Sequence, residues 1–317
     1  MTKIITLTVN PAIDKSTTVA GIGPNTKLRC SEPTFDAGGG GINISRAIHK
    51  LGGSSLCIYF AGGPSGENLK KLLNEQNIEQ SIISIEGWTR ENLAVTDTTT
   101  NQQYRFGMPG PAIKEKEWQN ALKQLEGILN KGDYLVASGN LPPHIPDDFY
   151  VKVSQIAEKK EARFILDTSG EALMKAAKSH VYMLKPNLAE LGVLTGVPSI
   201  THLDLKPLAK QFLENHDCEI IVVSLGPKGA LLATKNEIVH VPAPVVHQKS
   251  TIGAGDSMVA GMVMSLIWGR TLGDMVRYGV ACGTAATMHH GTQLCNKEDA
   301  DKLYDWINEQ KPITKTN

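Results

Sequence analysis

Short apolar runs that alternate with stretches of helical periodicity constrain the fold of this 317-residue chain most strongly. Runs that are apolar along their whole length are typical of parallel strands covered on both faces, and parallel neighbours need helical crossovers between them. Strands are predicted at 4–9, 56–60, 134–138, 164–167, 181–184 and 220–225. Helices are predicted at 42–51, 67–76, 113–129, 147–160, 203–215 and 258–268. The pattern predicts an α/β fold with a doubly wound, mostly parallel sheet flanked by helices.

Two segments, 12–35 and 88–106, interrupt this alternation. They are rich in Thr and alternate apolar with polar residues, as in "KSTTVAGIG" and "NLAVTDTTTNQQYRF". Such alternation favours half-exposed antiparallel strands, and "TTTNQQ" is typical of a hairpin turn. We therefore predict one small β-sheet that acts as a lid, a dimer surface or both. Residues 1–11, 36–87 and 107–317 are predicted to form the α/β core.

The charge balance and the cysteines exclude several classes of protein. Lys plus Arg and Asp plus Glu both number 32, so nothing suggests a nucleic-acid or anionic-membrane partner. The longest apolar stretch, 258–268, is shorter than the ~20 residues of a membrane span. The N-terminus lacks the charged-then-apolar layout of a secretion signal. Five scattered cysteines without a Cys-x-x-Cys pair are typical of reduced thiols, so we expect a cytoplasmic protein.

The common nucleotide-binding motifs are absent. A P-loop requires G-x-x-x-x-G-K-[ST], and neither "GGPSGENL" nor "GPKGALL" ends in Gly-Lys-Ser/Thr. The dinucleotide fingerprint requires glycines directly after a strand, whereas the first predicted strand is followed by "NPAID". The sequence therefore disfavours a dehydrogenase.

The stretch "STIGAGDSMVAG" places Asp256 in the first turn of a predicted apolar helix. An acid there can be an ordinary partner of the helix dipole, worth about 0.3–1 kcal/mol. The alternative is a general base. Gly253, Ala254 and Gly255 would direct backbone amides at one point and form an anion hole beside the carboxylate, an arrangement that suits phosphoryl transfer.

A second glycine-rich stretch, "DAGGGGINISRAIHKLGG", runs into a predicted helix that begins near Ile42. Bare amides of Gly38, Gly39, Gly40 and Gly41 could approach an anion or a sugar closely, and Asn43 adds an amide for a sugar hydroxyl. A plain flexible turn is the alternative. It would cost up to about 1 kcal/mol per glycine in backbone entropy.

These two motifs, about 210 residues apart, resemble the signatures of the ribokinase (PfkB) family of sugar kinases. The resemblance covers essentially the whole chain. Segments such as "LTVNPAID", "YRFGMPGP" and "LKPNLAEL" are most similar to the bacterial minor-isozyme type of 6-phosphofructokinase in this family. It implies a ribokinase-like fold and ATP-dependent phosphorylation of fructose 6-phosphate at the C1 hydroxyl, a step of glycolysis.

Three other activities stay open. Tagatose-6-phosphate kinases and 1-phosphofructokinases are related, but they usually carry a lysine in the motif where this chain has Gly40. A non-catalytic sugar-phosphate-binding regulator would lack a base, a magnesium-organising residue or an anion-hole residue. This chain has Asp256, Glu190 and the glycines of the anion hole.

The resemblance also assigns the sugar site. Asp256 would be the catalytic base, and Asp14 would hold sugar hydroxyls together with Asn43 and the four glycines. Arg90 and Arg105, both in the predicted lid, would bind the phosphate of the sugar, for which arginine forks are suited. Asn140 takes the place of a serine in similar enzymes, and its longer side chain bears on which sugar is selected.

For the nucleotide and metal sites the resemblance implies a larger set. Lys185 would neutralise phosphate charge, and Asn187 with Glu190 would organise Mg²⁺ through water around ATP, the co-substrate. A K⁺ site, typical of the family, would use backbone oxygens near Ser250, Ile252, Ala286 and Gly291, although Ser250 replaces a common aspartate. The rest of the ATP site would comprise Ser224, Leu225, Gly226, Pro227, Lys228, Gly229 and, with less support, Lys27. A homodimer joined through the lids is also implied.

Overall fold

The computed structural model describes residues 2–197, 200–201, 204–289, 291 and 293–309. Its strands are β1 (Ile4–Thr8), β2 (Ala12–Val19), β3 (Thr34–Gly38), β4 (Leu56–Ala61), β5 (Gln80–Ser84), β6 (Arg90–Asp97), β7 (Gln103–Phe106), β8 (Tyr134–Ser138), β9 (Arg163–Asp167), β10 (Val181–Leu184), β11 (Cys218–Ser224), β12 (Ala230–Thr234) and β13 (Ile238–Val241). Its helices are α1 (Gly40–Lys50), α2 (Gly63–Glu75), α3 (Glu115–Ile128), α4 (Phe149–Lys159), α5 (Gly170–Ala176), α6 (Leu188–Thr195), α7 (Leu205–Asn215), α8 (Ala254–Ile267), α9 (Leu272–Thr287) and α10 (Lys297–Glu309).

Nine strands form the main sheet in the order β13-β12-β11-β10-β9-β8-β1-β4-β5. All neighbours from β11 to β5 pair in parallel, whereas β12 and β13 are added antiparallel at one edge. From β1 the chain first builds the sheet towards β5, then returns to β8 on the other side of β1. The point between β1 and β8 is therefore a topological switch point, where open α/β sheets bind ligands. The predicted α/β, mostly parallel sheet is confirmed.

Each strand of the main sheet contributes to two cores, one on each face. Leu135 points to the core that includes α3, α4 and α7, and the next residue, Val136, points to the core that includes α1, α8, α9 and α10. Because successive strand residues face opposite sides, a sheet covered on both faces needs strands that are apolar throughout. The predicted strands have this composition, and their observed bounds lie within two residues of the predicted ones.

A second sheet of four strands, in the order β3-β2-β6-β7, comes from the two Thr-rich segments. β2 pairs in parallel with β6 and antiparallel with β3, and β6 forms a hairpin with β7. The small sheet is therefore confirmed, and we call it the lid. The expected antiparallel arrangement is wrong for β2 and β6, which pair in parallel because they come from two separate segments and not from one hairpin. β3 continues to Gly38, beyond the expected boundary at residue 35. The division of the chain into core and lid units stays a prediction.

Helix α8 carries the motif "STIGAGDSMVAG" at its start and is buried from Ser257 to Ser265. It begins at Gly253, whose left-handed φ of 71° suits glycine. Gly261 and Gly279 allow α8 and α9 to pack closely, because a Cβ at Gly261 would lie 2.6 Å from Cys282 Sγ and one at Gly279 would lie 2.5 Å from Met262 Cγ. These contacts hold α8 against α9. In the described ranges no helix combines the length and apolarity that crossing a membrane requires.

Candidate active site

The carboxyl ends of β1 and β8 lie at the switch point, and we call the space in front of them, towards the lid, the crevice. The loop after β1 leads into the lid at Asn10 and Pro11, and the loop after β8 contains Gly139 and Asn140. The four glycines connect β3 to α1 beside both loops, since a Cβ at Gly40 would meet Ser138 Oγ. The sugar-site stretches that lie far apart in the sequence thus meet at one place.

Asp256 lies in the first turn of α8, at the base of this crevice. Its Oδ2 accepts a hydrogen bond from Asn43 Nδ2 at 2.9 Å. Arg46 Nη1 donates to Asn43 Oδ1 at 3.4 Å and so helps to orient the amide with its NH₂ group towards the carboxylate. Burial and the negative charge of Asp167 raise the pKa of Asp256 to about 6. A carboxylate with a pKa near neutrality is a suitable general base.

The first turn of α8 directs backbone amides at the same region. Ser257 N donates to Gly253 O at 2.8 Å, whereas Ala254 N makes only a long contact of 3.3 Å with Thr251 O. A Cβ at Gly255 would lie 3.6 Å from Lys185 Nζ, so an ammonium group lies beside this helix N-terminus. Amides and a cation together make the place favourable for an anion.

Lys185 is only 7% exposed and forms an ion pair with Asp167, at 3.1 Å between Nζ and Oδ1. Burial alone would lower the pKa of Lys185, but the charge and hydrogen bond of Asp167 outweigh it, and the pKa is raised. The ammonium is therefore charged in the site. Asp167 belongs to neither glycine motif, but its place at the carboxyl end of a parallel strand, "FILD", is typical of a site residue.

Asn187 and Glu190 cap α6. Asn187 Oδ1 accepts from Glu190 N at 2.9 Å, and Glu190 Oε2 accepts from Asn187 N at 2.8 Å. Burial, followed by the nearby Asp167, raises the pKa of Glu190. The motif thus has a local folding role as a capping box.

The donor set fits Mg²⁺ held largely through water. In the described ranges no three His, Cys, Asp or Glu residues converge into a set of metal ligands. Mg²⁺ usually keeps several waters and binds one or two carboxylates plus substrate phosphates, so it does not require a protein cage. Glu190 and the neighbouring Asp167 supply carboxylates of this kind.

The four consecutive glycines are packed against neighbours on every side. A Cβ would lie 2.2 Å from Asp14 Oδ2 at Gly38 and 2.7 Å from Thr8 Cγ2 at Gly39. At Gly40 it would lie 2.0 Å from Ser138 Oγ, and at Gly41 2.6 Å from Leu7 O. The stretch is therefore a close-packed connection, which disfavours the flexible-turn alternative. α1 begins at Gly40, two residues earlier than expected.

Asp14 and Arg105 both line a cavity of about 840 Å³ between the lid and the edge of the core. Asn92 Nδ2 donates to Asp14 Oδ1 at 2.8 Å and leaves the other carboxylate oxygen beside Gly38. Arg105 is exposed on β7. The cavity also reaches Ile252 and Gly291, so the sugar-site and cation-site candidates border one space.

Arg90 begins β6 and binds three backbone oxygens at the mouth of the crevice. Its guanidinium donates to Asn10 O at 3.0 Å, Met108 O at 3.1 Å and, more weakly, Pro11 O at 3.4 Å. Burial lowers the pKa of Arg90, and Asp14 counteracts this. Arg90 thus anchors the lid to the loop after β1. Two of its five N–H groups are left for other partners.

The predicted nucleotide loop follows β11. Ser224 N donates to Pro186 O at 2.9 Å, which places the loop beside Lys185 and Asn187. Gly226–Lys228 form a turn of 3₁₀ helix. Gly226 has open space around it, but a Cβ at Gly229 would lie 1.9 Å from Val241 O on β13. Gly229 is therefore required for packing against β13, and its place in the ATP site stays a prediction. Leu225 is buried, whereas Pro227 and Lys228 are exposed.

The remaining candidates lie at the edges of the site. Lys27 is exposed in the loop between β2 and β3. Ser250 Oγ donates to Gly291 O at 3.2 Å and accepts from Ile252 N at 3.2 Å, which joins the two loops expected to hold K⁺. His289 N donates to Ala286 O at 3.3 Å. These neutral backbone oxygens suit a monovalent cation, although two of them already accept hydrogen bonds.

Comparison with known proteins identifies strong similarities. Residues 5–299 match the pfkB family carbohydrate kinases. The chain is 41% identical to ATP-dependent 6-phosphofructokinase isozyme 2 of Escherichia coli strain K12, over 97% of this chain and 99% of that protein. It is 33% identical to a 1-phosphofructokinase of Bacillus subtilis strain 168, over 89% and 91% of the two chains.

Solved structures agree with this similarity. Phosphofructokinase-2 of Escherichia coli in complex with potassium matches with a TM-score of 0.94 and 41% identity, over 97% of this chain and 100% of that one. The same bacterial protein has been solved in complex with fructose-6-phosphate and in a tetrameric inhibited form.

Proposed function

The chain belongs to the pfkB family of carbohydrate kinases, and we propose that it is an ATP-dependent 6-phosphofructokinase. The reaction transfers the γ-phosphoryl group of ATP to the C1 hydroxyl of fructose 6-phosphate and yields fructose 1,6-bisphosphate and ADP. The observation that carries this proposal is Asp256, a carboxylate with a pKa of about 6 at the N-terminus of α8 in the crevice at the switch point. Nearly full-length identity of 41% to a 6-phosphofructokinase supports it.

Asp256 acts as the base in this proposal. Its free oxygen takes the proton of the C1 hydroxyl while the C1 oxygen forms a bond to the γ-phosphorus and the bond from that phosphorus to the bridging oxygen breaks. The proton remains on Asp256 and ADP leaves with the bridging oxygen. Asn43 holds the carboxylate in place through the 2.9 Å hydrogen bond and keeps its NH₂ group pointed at Asp256.

Charge on the transferred phosphoryl group is stabilised by the start of α8 and by Lys185. The amides of Gly253, Ala254 and Gly255 form the anion hole, in which fixed dipoles cost no reorganisation. Lys185 is held as an ammonium by Asp167, 3.1 Å away. The residues Ser224 to Gly229 lie beside Lys185 through the contact with Pro186 and would border the nucleotide.

Mg²⁺ would be held by water-mediated contacts to Glu190 and Asn187. When bound, it would neutralise charge on the phosphates of ATP. The raised pKa of Glu190 reflects burial and the adjacent Asp167, a combination that a divalent cation would relieve. K⁺ is proposed to bind the backbone oxygens of the loops at 250–252 and 286–291, which suit it in charge and hardness.

The sugar phosphate would lie in the cavity under the lid. Asp14, with one oxygen fixed by Asn92, and the amides of Gly38 to Gly41 would hold its hydroxyls. Arg90 and Arg105 would bind its phosphate from the lid, and Asn140 would contact the sugar from the loop after β8. Recognition of a phosphorylated rather than a free sugar depends on these two arginines.

A homodimer through the lids is part of the proposal. Several large apolar side chains of the lid and its loops are exposed, namely Ile22, Leu28, Phe35, Tyr104, Phe106 and Met108. A second copy would cover them. All five cysteines are free, which supports a reducing cytoplasmic location.

An assay of ADP release with Mg-ATP tests the proposal on fructose 6-phosphate, tagatose 6-phosphate, fructose 1-phosphate and ribose. We expect kcat/KM to be highest for fructose 6-phosphate and ribose to be inactive. A higher value for tagatose 6-phosphate or fructose 1-phosphate would assign the chain to one of those activities instead. Binding of a sugar phosphate without ADP release would identify a non-catalytic regulator. Asp256→Asn is the control for contaminating kinases.

A further inference from the structure

Two asparagines at the switch point are joined by their side chains. Asn10 follows β1 and Asn140 follows β8, the two neighbouring strands at the topological switch point of the sheet. Asn10 Nδ2 donates to Asn140 Oδ1 at 3.2 Å. Asn140 is exposed to the crevice, whereas Asn10 is 5% exposed. One amide is thus buried and fixed, and it holds the other at the surface of the site.

The surroundings of Asn10 fix it firmly. Its backbone oxygen accepts from Arg90 Nη2 at 3.0 Å, so the residue is tied to the lid. Its Oδ1 packs against Gly110, where a Cβ would lie only 2.2 Å away. That Oδ1 atom is buried and has no hydrogen-bond partner in the described part of the chain. A buried acceptor without a partner lowers the stability of the fold. The same orientation of the side chain directs its NH₂ group at Asn140.

The hydrogen bond also determines which group of the Asn140 side chain is free to bind a ligand. Its Oδ1 is occupied by Asn10, so its own NH₂ group is turned the other way. Among the residues that the structure describes, that NH₂ group has no partner. The crevice therefore contains an oriented donor of two hydrogen bonds, next to the glycines that pack on Ser138.

We infer that Asn10 is a positioning residue for the sugar-phosphate site, because it holds the Asn140 amide with its NH₂ group towards the acceptor. This inference rests on the proposed function. The oriented NH₂ group donates to an oxygen of the sugar, and it disfavours an isomer whose oxygen points elsewhere, because the donor would then be left unpaired. Fructose 6-phosphate and tagatose 6-phosphate differ only in the configuration of one such hydroxyl, at C4.

A double-mutant cycle tests the coupling. Wild type, Asn10→Ala, Asn140→Ala and the double variant are compared by kcat, KM for the sugar phosphate, KM for ATP and the unfolding midpoint. The acceptor is whichever of fructose 6-phosphate, tagatose 6-phosphate and fructose 1-phosphate the wild type turns over fastest. An error in the proposed acceptor therefore does not decide the outcome, whereas a wild type without any turnover overturns both proposals.

We expect Asn140→Ala to lower kcat/KM about tenfold, the size of one lost hydrogen bond, mainly through KM for the sugar. Asn10→Ala should lower it about threefold to tenfold with KM for ATP within about twofold of wild type. The double variant should be no worse than Asn140→Ala, since Asn10 acts through Asn140. Both single variants should bring the ratio of kcat/KM for fructose 6-phosphate to kcat/KM for tagatose 6-phosphate closer to one.

A second background keeps the test independent of folding. In Asn140→Ser the shorter side chain does not reach Asn10, so adding Asn10→Ala should leave kcat/KM unchanged. Multiplicative effects of the two alanines, or an equal effect of Asn10→Ala in the serine background, would show that Asn10 acts on its own. Equal rises in KM for the sugar and for ATP would show a merely structural role. Either result overturns the inference.

Discussion

Replacing Asp256 by asparagine should separate stability from activity. The native structure holds this carboxyl with its pKa raised to about 6, from an ordinary value of 3.8, because of burial and the nearby Asp167. Asparagine has the same shape and keeps an oxygen for Asn43 Nδ2, but it is never charged. We therefore expect Asp256→Asn to be more stable than the wild type at neutral pH and almost inactive.

The size of the effect follows from the shift in pKa. Below about pH 3.8 the carboxyl is protonated in both the folded and the unfolded chain, so Asp256 costs nothing relative to asparagine. Between 3.8 and 6 the unfolded chain loses the proton first, and the free energy of unfolding of the wild type falls as the pH rises. Above about 6 the full cost is present. The rise in pKa from 3.8 to about 6 corresponds to at most about 3 kcal/mol, and contact with water in the crevice reduces this cost to about 1–2 kcal/mol.

Urea unfolding of both proteins between pH 4.5 and 8, each without ligands, measures this difference. The advantage of Asp256→Asn should grow with pH and level off above about pH 7. Turnover by the variant should be at least about 10²-fold lower at saturating substrates. In the wild type, kcat/KM for the sugar should be half-maximal near pH 6 and about tenfold reduced at pH 5, because only the ionised carboxylate accepts the proton.

Asp274→Asn is a matched control. Asp274 occupies the first turn of the neighbouring helix α9, but the Thr271 hydroxyl donates to it and lowers its pKa. That substitution should therefore destabilise the protein at neutral pH, with the opposite sign, and leave turnover intact. If Asp256→Asn proved equally stable or less stable at pH 8, or retained wild-type turnover, both the electrostatic argument and the assignment of the base would be refuted.

Three further substitutions address the phosphate, the metal and the fold. Arg90→Ala should raise KM for the sugar phosphate at least about tenfold and KM for ATP less than about twofold, as steady-state kinetics will show; equal changes would contradict its assignment. Glu190→Gln should raise the Mg²⁺ concentration for half-maximal rate at least about threefold; an unchanged Mg²⁺ titration would count against it. Gly229→Ala should lower the free energy of unfolding by about 2 kcal/mol or more, since its Cβ would lie 1.9 Å from Val241 O; wild-type stability would disprove the packing explanation.

The architecture was predictable because the spacing of apolar residues along the sequence reflects it. Strands buried on both faces must be apolar throughout, and helices between them must carry an apolar stripe, so β1, β8 and α4 could be placed within two residues. β12 and β13 were missed because they are short antiparallel strands at the sheet edge and follow no crossover helix. α9 is rich in glycine and alanine, which suit close packing but give weak periodicity.

The site was predictable only in part. Asp256 and the glycines were identified from local motifs, and the family resemblance supplied Lys185 and Glu190. Asp167 and Asn10 were not singled out, since each matters through a partner that is distant in the sequence, Lys185 and Asn140 respectively. Such partners become visible only once the strand order is known. The sequence motif also could not separate a glycine needed for a ligand from one needed for packing, as Gly229 illustrates.

The close packing of Gly38 to Gly41 bears on how natural variation and mutational scans of such a chain should be interpreted. Each position excludes a methyl group by contact with a different partner: a carboxylate, a threonine methyl, a serine hydroxyl and a carbonyl. A saturation library selected for folding alone would therefore lose most variants at Gly39 and Gly41, whose neighbours include backbone atoms, whereas Gly38 meets only the movable side chain of Asp14. If these glycines proved invariant, the reason would be the lack of room for a side chain. Evidence for the chemistry of the site would have to come from the surrounding residues, where a substitution can leave the fold intact and still abolish catalysis.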